Sequence, residues 1–191
     1  MKRLEIHPGF VMLACFLFYV SPLGFFLPFF TLSILHELGH IAALTIFGVE
    51  IRRIRLGGFG AELETGPMSP SSEAVCALAG PAVNLCCVWT LRRISLRLAM
   101  LSLLLGCYNL LPVYPLDGGR ALRAVVALLL PPEAARRTEL CVEILCIGAV
   151  GYLCLRLGLR FGLAPLGLFA VLLVHLARER NTCCDFCPGT I

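Results

Sequence analysis

Residues 8–49 read PGFVMLACFLFYVSPLGFFLPFFTLSILHELGHIAALTIFGV, and this stretch decides the fold class. It contains no Asp, Lys or Arg, and its only His and Glu residues are His36, Glu37 and His40. A helix needs about 20 mostly apolar residues to cross the hydrocarbon core of a bilayer. The stretch is therefore long enough for two crossings. We predict these spans at residues 9–26 and 28–47, with the helix break between Ser21 and Pro28.

The overall composition agrees with a membrane protein. The chain has 191 residues, of which 59% are hydrophobic and only 15% are charged, whereas soluble domains carry about 25% charged residues. One domain of this length has too little interior volume to bury so many apolar side chains. The net charge of +4 is spread over short segments without a basic stripe, so we expect no nucleic-acid partner.

Four further apolar segments complete the predicted architecture, an all-α polytopic membrane protein with about six transmembrane helices. These spans lie near residues 73–91, 98–116, 138–155 and 159–177. Six crossings place both termini on one side of the membrane, and that side carries eleven of the sixteen Lys and Arg residues. Because positive charge accumulates on the cytoplasmic side, both termini are predicted to be cytoplasmic.

The spans form one predicted membrane domain, residues 1–180, followed by a short polar tail at residues 181–191. Eight of the eleven cysteines lie within apolar runs, where cysteine acts as a small hydrophobic residue. The other three, Cys183, Cys184 and Cys187, lie in the tail. The tail cysteines could bind a metal, carry a lipid or have no role, and we favour no structural role because no His or second Cys pair lies beside them.

Two segments are predicted to lie at the membrane surface. Residues 49–72 are the only long polar connection, and their partial alternation followed by glycines suits a short hairpin or strand edge between spans two and three. Residues 51–59 are then our candidate for holding an extended peptide by strand addition. A solvated loop with a basic face fits the same residues equally well. Residues 118–130 are too short to span and predict an interfacial helix after span four.

The sequence His-Glu-Leu-Gly-His at residues 36–40 carries the clearest chemistry. Residues four apart on a helix share one face, so His36 and His40 can present ring nitrogens to one point, which suits a zinc ion. Glu37 lies on the adjacent flank, where it can take a proton from zinc-bound water. In a soluble helix the same pattern is often a solvated face. That alternative is weak in an apolar run, because unpaired ionisable groups in hydrocarbon are costly.

Asp117 is the candidate for a third zinc ligand. The sequence has only two aspartates, and Asp117 follows the fourth predicted span in a segment interrupted by Pro and Gly residues, which can line a polar cavity. A cap on the helix that follows is compatible with this role. Asn84, in the run GPAVN at residues 80–84, places an amide inside the third span. It suggests an oxyanion or substrate-backbone contact, although helix packing is the default interpretation.

HELGH at 36–40, GPAVN at 80–84 and NLLPVYPLDGGR at 109–120, in this order, resemble the site-2 protease family of intramembrane zinc metalloproteases, peptidase family M50. The resemblance covers roughly residues 10–130. It implies one Zn²⁺ per chain on His36, His40 and Asp117, with Glu37 as the catalytic base. It also implies that Asn84 and Asn109 line the catalytic region and support substrate binding or the transition state.

Within that family, the six-span plan is most similar to the branch of stage IV sporulation protein FB. The similarity implies a bacterial plasma membrane or an internal sporulation membrane, and a sigma-factor precursor as the membrane-bound substrate. An inhibitory or gating membrane-protein partner is a further expectation. That branch usually carries a C-terminal CBS domain, which we do not expect here because the sequence ends shortly after the last predicted span.

The expected function is hydrolysis of peptide bonds within or next to the membrane segment of a membrane-bound protein. One alternative is an inactive protease-like membrane scaffold. Another is a metal transporter, but transporters often contain internal repeats, and the sequence has no second HELGH-like or PLDGG-like segment. We expect His175 and Glu143, nearer to helix ends, to serve helix packing.

Overall fold

The structure is a computed structural model that describes residues 3–6, 8, 11, 15, 18, 19, 23–57, 60–161, 170 and 173. The chain divides into two compact units, Met1–Leu110 and Leu111–Ile191. The elements with described bounds in the first unit are β1 (Arg3–Ile6), α1 (Leu23–Ile46), β2 (Ile51–Gly57), β3 (Gly60–Thr65), α2 (Pro70–Leu91) and α3 (Leu96–Asn109). Those in the second unit are α4 (Asp117–Leu129) and α5 (Pro132–Phe161).

Three of these helices, α1, α2 and α5, are long and apolar enough to cross a membrane, counted over the described residues alone. They cover residues 28–46 of the predicted span 28–47 and the whole of the predicted spans 73–91 and 138–155. Two of the other three predicted spans, 9–26 and 159–177, fall largely outside the described part of the chain. The count of six crossings therefore stays a prediction.

Helix α1 corrects the predicted boundary between the first two spans. It begins at Leu23 and runs without interruption to Ile46, with Pro28 inside it. Residues 23–26 thus belong to the helix that carries HELGH and not to the span before it. Pro28 lies in the second turn of α1, where it removes the one backbone hydrogen bond that its own N–H would donate.

The fourth predicted span, 98–116, is wrong at its C-terminal end. Helix α3 stops at Asn109 after 14 residues, about 21 Å at 1.5 Å per residue, which is shorter than a bilayer core. Residues 110–116 form turns and bends instead. Pro112 and Pro115 explain the stop, since proline lacks an N–H and disfavours helical backbone in the residue before it.

The predicted fold is all-α with a short hairpin between spans two and three, and the structure has a three-stranded sheet that includes this segment. Strand β2 is central, with β1 parallel to it on one side and β3 antiparallel on the other. Strand β1 was not predicted from the sequence. Arg53 and Arg55 of β2 each contact Glu5 of β1 and Glu64 of β3, at 3.2–3.6 Å. These exposed ion pairs contribute roughly 0–1 kcal/mol each.

The first unit is held by close packing of α1 on α2 and of α2 on α3. Gly39, inside HELGH, lets α2 approach, since a Cβ there would lie 2.8 Å from Val83 Cγ2 and 2.9 Å from the Ala79 carbonyl oxygen. Gly106 of α3 does the same on the other face of α2, where a Cβ would lie 3.2 Å from Asn84 Cβ. Membrane helices use such small residues for close contact.

In the second unit, α4 packs against α5 and against the turn before it. The predicted helix at 118–130 is confirmed as a helix, observed at Asp117–Leu129, and its interfacial position stays a prediction. The Arg123 guanidinium lies 4.1 Å from the centroid of the Tyr114 ring and 2.7 Å from Glu139 Oε1 on α5. A Cβ at Gly119 would overlap the backbone of Val113 and Tyr114, so glycine lets this turn lie directly on α4.

Candidate metal centre

His36 and His40 form a buried pair on α1. They are one helical turn apart, and only 5% and 7% of their surfaces are exposed. Their Nε2 atoms lie 3.2 Å from each other, and the two rings are nearly perpendicular, at 80°. The spacing in HELGH therefore brings two imidazole nitrogens to one point, as the sequence predicts.

Each ring is held through its other nitrogen by helix α2. Nδ1 of His40 lies 2.8 Å from the backbone carbonyl oxygen of Cys76. A carbonyl oxygen only accepts hydrogen bonds, so this Nδ1 carries the proton and the lone pair of the neutral ring is on Nε2. Nδ1 of His36 lies 3.0 Å from the side-chain amide nitrogen of Asn84.

Gly80 leaves the space in which the two Nε2 atoms meet. A Cβ at this position would overlap Nε2 of His40 and would lie 2.7 Å from Nε2 of His36. No rotamer change elsewhere on α2 could avoid that contact, because the Cβ position is set by the backbone. A side chain on residue 80 is therefore incompatible with the observed positions of both histidines.

The histidine pair fits a zinc ion. Zinc–nitrogen bonds are about 2.0–2.1 Å long and meet at tetrahedral angles in most protein sites, so two ligand nitrogens should be about 3.3 Å apart. The observed separation is 3.2 Å. Gly80 leaves space beside the two nitrogens, and both rings are buried. Both nitrogens can therefore face one small ion while they are shielded from bulk water.

Glu37 lies on α1 and Asn109 lies at the end of α3. Glu37 follows His36 on α1 and is half-buried. Asn109 is the last residue of α3 and is also half-buried. Its side-chain amide donates to the Leu105 carbonyl oxygen of the same helix, at 3.1 Å. That bond orients the amide at the helix end, and its role toward a substrate stays a prediction.

Asn84 is fully buried, with 0% of its surface exposed. Helix α3 holds it from behind, because the Ser102 hydroxyl donates to the Asn84 backbone carbonyl at 2.9 Å. The side chain thus points toward α1 while its backbone is anchored on α3. The structure therefore places the side-chain amide of Asn84 next to Nδ1 of His36.

Asp117 belongs to the second unit. It is the first residue of α4 and is buried, with 8% of its surface exposed. Carboxylates are favoured in the first turn of a helix by the exposed backbone N–H groups and by the helix dipole. The turn at Val113 and Tyr114 packs on Gly119 one step further along the helix, which secures the backbone that carries the carboxylate.

Sequence reasoning missed two groups near the site, one that bonds a histidine ring and one that bonds the Asn84 backbone. The Cys76 carbonyl is a backbone atom, which every residue has, so the side-chain pattern contains no sign of it. Ser102 was detectable, because it is a polar residue in the apolar helix α3 and is fully buried. Of the residues expected in helix packing, Glu143 is buried in α5, and His175 lies outside the described residues.

Comparison with known proteins shows what this chain is similar to. Residues 86–150 match the model of peptidase family M50. The chain is 32% identical over 115 residues to a zinc metalloprotease of Methanocaldococcus jannaschii, covering 53% of this chain and 34% of that protein. The chain is also 29% identical over 151 residues to stage IV sporulation protein FB of Bacillus subtilis, covering 72% of this chain and 52% of that protein.

A solved structure shows the same fold. The site-2 protease from Methanocaldococcus jannaschii superimposes with a TM-score of 0.64 at 24% identity, covering 88% of this chain and 87% of that structure. A putative zinc metalloprotease of Synechocystis is 34% identical over 112 residues, covering 51% of this chain and 30% of that protein. The chain therefore spans about a third of the length of the two curated zinc metalloproteases from Methanocaldococcus and Synechocystis.

Proposed function

We propose that this protein is a zinc endopeptidase that hydrolyses a peptide bond within or next to the membrane segment of a membrane-bound protein. The observation that carries the proposal is the buried pair of His36 and His40, whose Nε2 atoms lie 3.2 Å apart inside an apolar helix of membrane-spanning length. The match of residues 86–150 to peptidase family M50 and the similarity to zinc metalloproteases support the same reaction.

One Zn²⁺ per chain is the proposed cofactor, held by His36, His40 and Asp117. These residues offer two imidazole nitrogens and one carboxylate oxygen, a donor set that zinc prefers. Three protein ligands leave the fourth tetrahedral position for water, which is the pattern of catalytic rather than structural zinc. The burial of Asp117 at the start of α4 supports its part in the set.

The proposed chemistry is metal-assisted hydrolysis. Zinc, when bound, polarises the scissile carbonyl and lowers the pKa of water. The Glu37 carboxylate takes a proton from the attacking water while the water oxygen bonds to the carbonyl carbon. Glu37 then gives that proton to the leaving nitrogen as the C–N bond breaks, and the products are a carboxylic acid and an amine. A base is needed because neutral water is a weak nucleophile.

The substrate backbone must be extended at the cut, because a helix keeps its own peptide groups hydrogen-bonded and inaccessible. The sequence suggested residues 51–59 for holding it, but both edges of β2 are occupied, by β1 over Arg53–Leu56 and by β3 over Ile51–Gly57. Within the described residues, the outer edge of β3 pairs with no other strand. The proposed docking edge is therefore β3, Gly60–Thr65.

The proposed location is a bacterial plasma membrane or an internal sporulation membrane, with both termini in the cytoplasm. The distribution of Lys and Arg supports the orientation, and the similarity to stage IV sporulation protein FB supports the sporulation membrane. A membrane-bound sigma-factor precursor is the specific substrate that this similarity suggests. A gating or inhibitory membrane-protein partner would keep such a protease inactive until needed.

The test compares Glu37→Gln with the wild type. Quantitative proteomics of membranes from cells expressing each form should show an uncut membrane protein that accumulates only with Glu37→Gln. We expect cleavage to fall by about 10²–10⁴-fold, the usual contribution of a general base, while the purified protein keeps its zinc. Glu50→Gln is the matched control, since Glu50 is exposed and outside the helices.

Equal cleavage by the wild type and Glu37→Gln would remove Glu37 as the base. A purified wild type that binds no zinc would contradict the metal site. Unchanged membrane proteomes in all forms, with zinc bound, would favour an inactive scaffold. Zinc uptake into vesicles that survives Glu37→Gln would favour a transporter.

A further inference from the structure

Asn84 and His36 are joined by a contact that the proposed hydrolysis does not use. The Asn84 amide nitrogen lies 3.0 Å from His36 Nδ1, and both side chains are buried. Asn84 Oδ1 is buried and has no hydrogen bond among the described residues. One end of this amide therefore meets a histidine ring, and the other end meets no polar partner in the part of the chain that the structure describes.

The orientation of the amide decides which tautomer His36 adopts. With the nitrogen facing His36, the amide donates to Nδ1, so the proton of the neutral ring is on Nε2. That Nε2–H then points at the lone pair of His40 Nε2, 3.2 Å away. This arrangement satisfies the pair in the absence of an ion, but it leaves only one lone pair, on His40, at the point where the two nitrogens meet.

A 180° rotation of the amide exchanges its oxygen and nitrogen with almost no change in shape. Oδ1 then accepts a hydrogen bond from Nδ1–H of His36, and the lone pair of His36 moves to Nε2. Both histidines now direct lone pairs to the same point, since Cys76 already holds the proton of His40 on Nδ1. Two lone pairs 3.2 Å apart repel each other unless a cation lies between them.

We propose that Asn84 is a positioning residue that selects the zinc-binding tautomer of His36 by accepting its Nδ1–H through Oδ1. The proposal rests on the proposed zinc site. Either amide orientation leaves one amide atom without a partner among the described residues, so hydrogen-bond count alone favours neither orientation. The cation decides between the two amide orientations, because only the rotated amide directs the Nε2 lone pairs of both histidines toward it. Groups of this kind, behind a ligand histidine, typically change metal affinity 10–100-fold.

The backbone of Asn84 is fixed by its own helix α2, and helix α3 packs behind it. Ser102 holds the Asn84 backbone carbonyl at 2.9 Å, and Gly106 leaves room for its Cβ, which an added methyl would approach to 3.2 Å. The amide can therefore rotate about its own axis without translating. This role differs from the oxyanion or substrate contact that the sequence suggested for Asn84, because it acts through His36 and requires an acceptor.

The experiment distinguishes three roles for Asn84: a hydrogen-bond acceptor toward His36, a hydrogen-bond donor, and a packing residue. Asn84→Asp keeps the shape and, as a carboxylate, only accepts hydrogen bonds, so zinc affinity of the full chain in detergent micelles should stay within about threefold of the wild type. Asn84→Leu removes the acceptor and should weaken zinc binding by about 10–100-fold. Ser102→Ala, which removes the backbone bond and leaves the amide intact, is the matched control and should bind zinc like the wild type.

Two further readouts use the same variants. In ¹⁵N-histidine NMR of the zinc-loaded wild type, His36 should show a proton on Nδ1, and Asn84→Asp should keep that spectrum. Proteolysis by Asn84→Asp should stay within about tenfold of the wild type, since the acceptor is retained. A donor to the substrate would instead be lost in this variant, with proteolysis abolished at full zinc occupancy, which would overturn the proposal.

The remaining outcomes of the zinc-affinity measurements also test the proposal. Wild-type zinc affinity in Asn84→Leu, or equally weak affinity in Asn84→Asp and Asn84→Leu, would overturn the proposal. A loss of affinity in Ser102→Ala equal to that in Asn84→Leu would assign Asn84 to packing. If Asn84→Leu does not fold, the Asp and Ser102 variants still test the acceptor. A wild type that binds no zinc refutes the proposed function itself, which is a distinct result.

Discussion

Two glycines set how closely α2 approaches the histidines of α1. Gly39 allows the helix backbones to meet near Ala79 and Val83, and Gly80 leaves the space that Nε2 of both histidines occupies. At the residue scale, the site thus depends on the absence of side chains as well as on the ligands. The GPAVN motif begins with glycine for this steric reason.

Gly80→Ala should displace the histidine pair. The added methyl would overlap Nε2 of His40, so one or both rings must turn away and lose the shared point. We expect zinc affinity to fall by at least about tenfold, comparable to the loss of a supporting group, measured by competition with a chelating dye. Gly24→Ala on α1 is the control, because nothing lies within 4 Å of its Cβ position. Equal affinities in both variants would contradict the observed packing.

Sequence spacing predicted the histidine pair correctly but could not predict what holds each ring. His36 and His40 are four residues apart in one helix, so their common face follows from helix geometry alone. Their Nδ1 partners are 48 and 36 residues away along the chain, on α2. Which atoms of α2 face the rings depends on the rotation and depth of helix packing, which no local pattern encodes.

At the scale of elements, the start of α4 is tied to the turn before it and to α5. Arg123 stacks on Tyr114 and pairs with Glu139, while Gly119 accepts the turn against its backbone. These contacts surround the first turns of the helix that begins with Asp117. The Asp117 carboxylate therefore lies at a helix start whose backbone is held in place by these contacts.

The Arg123–Glu139 pair should contribute a measurable coupling. Arg123 Nε and Nη2 lie 2.8 Å and 2.7 Å from the same Glu139 oxygen, but the arginine is partly exposed, so solvent screens the pair. A double-mutant cycle with Arg123→Met and Glu139→Gln should give about 0.3–1 kcal/mol in detergent at low salt, decreasing as salt rises. Denaturant unfolding of the full chain measures it. A coupling of zero at low salt would show that the pair does not stabilise α4 on α5.

Prolines explain why one predicted span is shorter than expected. Hydropathy marks residues 98–116 as one apolar run, yet α3 ends at Asn109 because Pro112 and Pro115 interrupt the backbone hydrogen bonding that a helix requires. Hydropathy alone cannot detect this stop. In the sheet, the sequence missed an element instead of extending one. Strand β1 has only four residues, too few for a distinctive pattern, and it pairs with β2 far along the chain.

For the molecule as a whole, the apolar surface determines where the protein can reside. On α1, Phe25, Leu27 and Ile34 are more than half exposed, and on α5 Ile144 and Leu145 are exposed to a similar degree. Large exposed apolar surface is unfavourable in water. These faces are suited to lipid.

The chain should remain in the membrane fraction after an alkaline carbonate wash and should need detergent for release. The reason is the length and apolarity of α1, α2 and α5, each able to span the hydrocarbon core. Immunoblots of pellet and supernatant measure this, with a peripheral membrane protein as the control that the wash releases. Recovery of the chain in the supernatant would contradict a spanning arrangement.

The sequence by itself determined the membrane class, the helix that carries HELGH and the position of its two histidines on one face of that helix. Each of these follows from composition or from spacing within one helix, which are short-range properties. Only the tertiary structure decided that Cys76 and Asn84 hold the rings, that Gly80 makes room for them and that β1 completes a sheet. Those features join segments distant in sequence, and packing between helices and strands selects them.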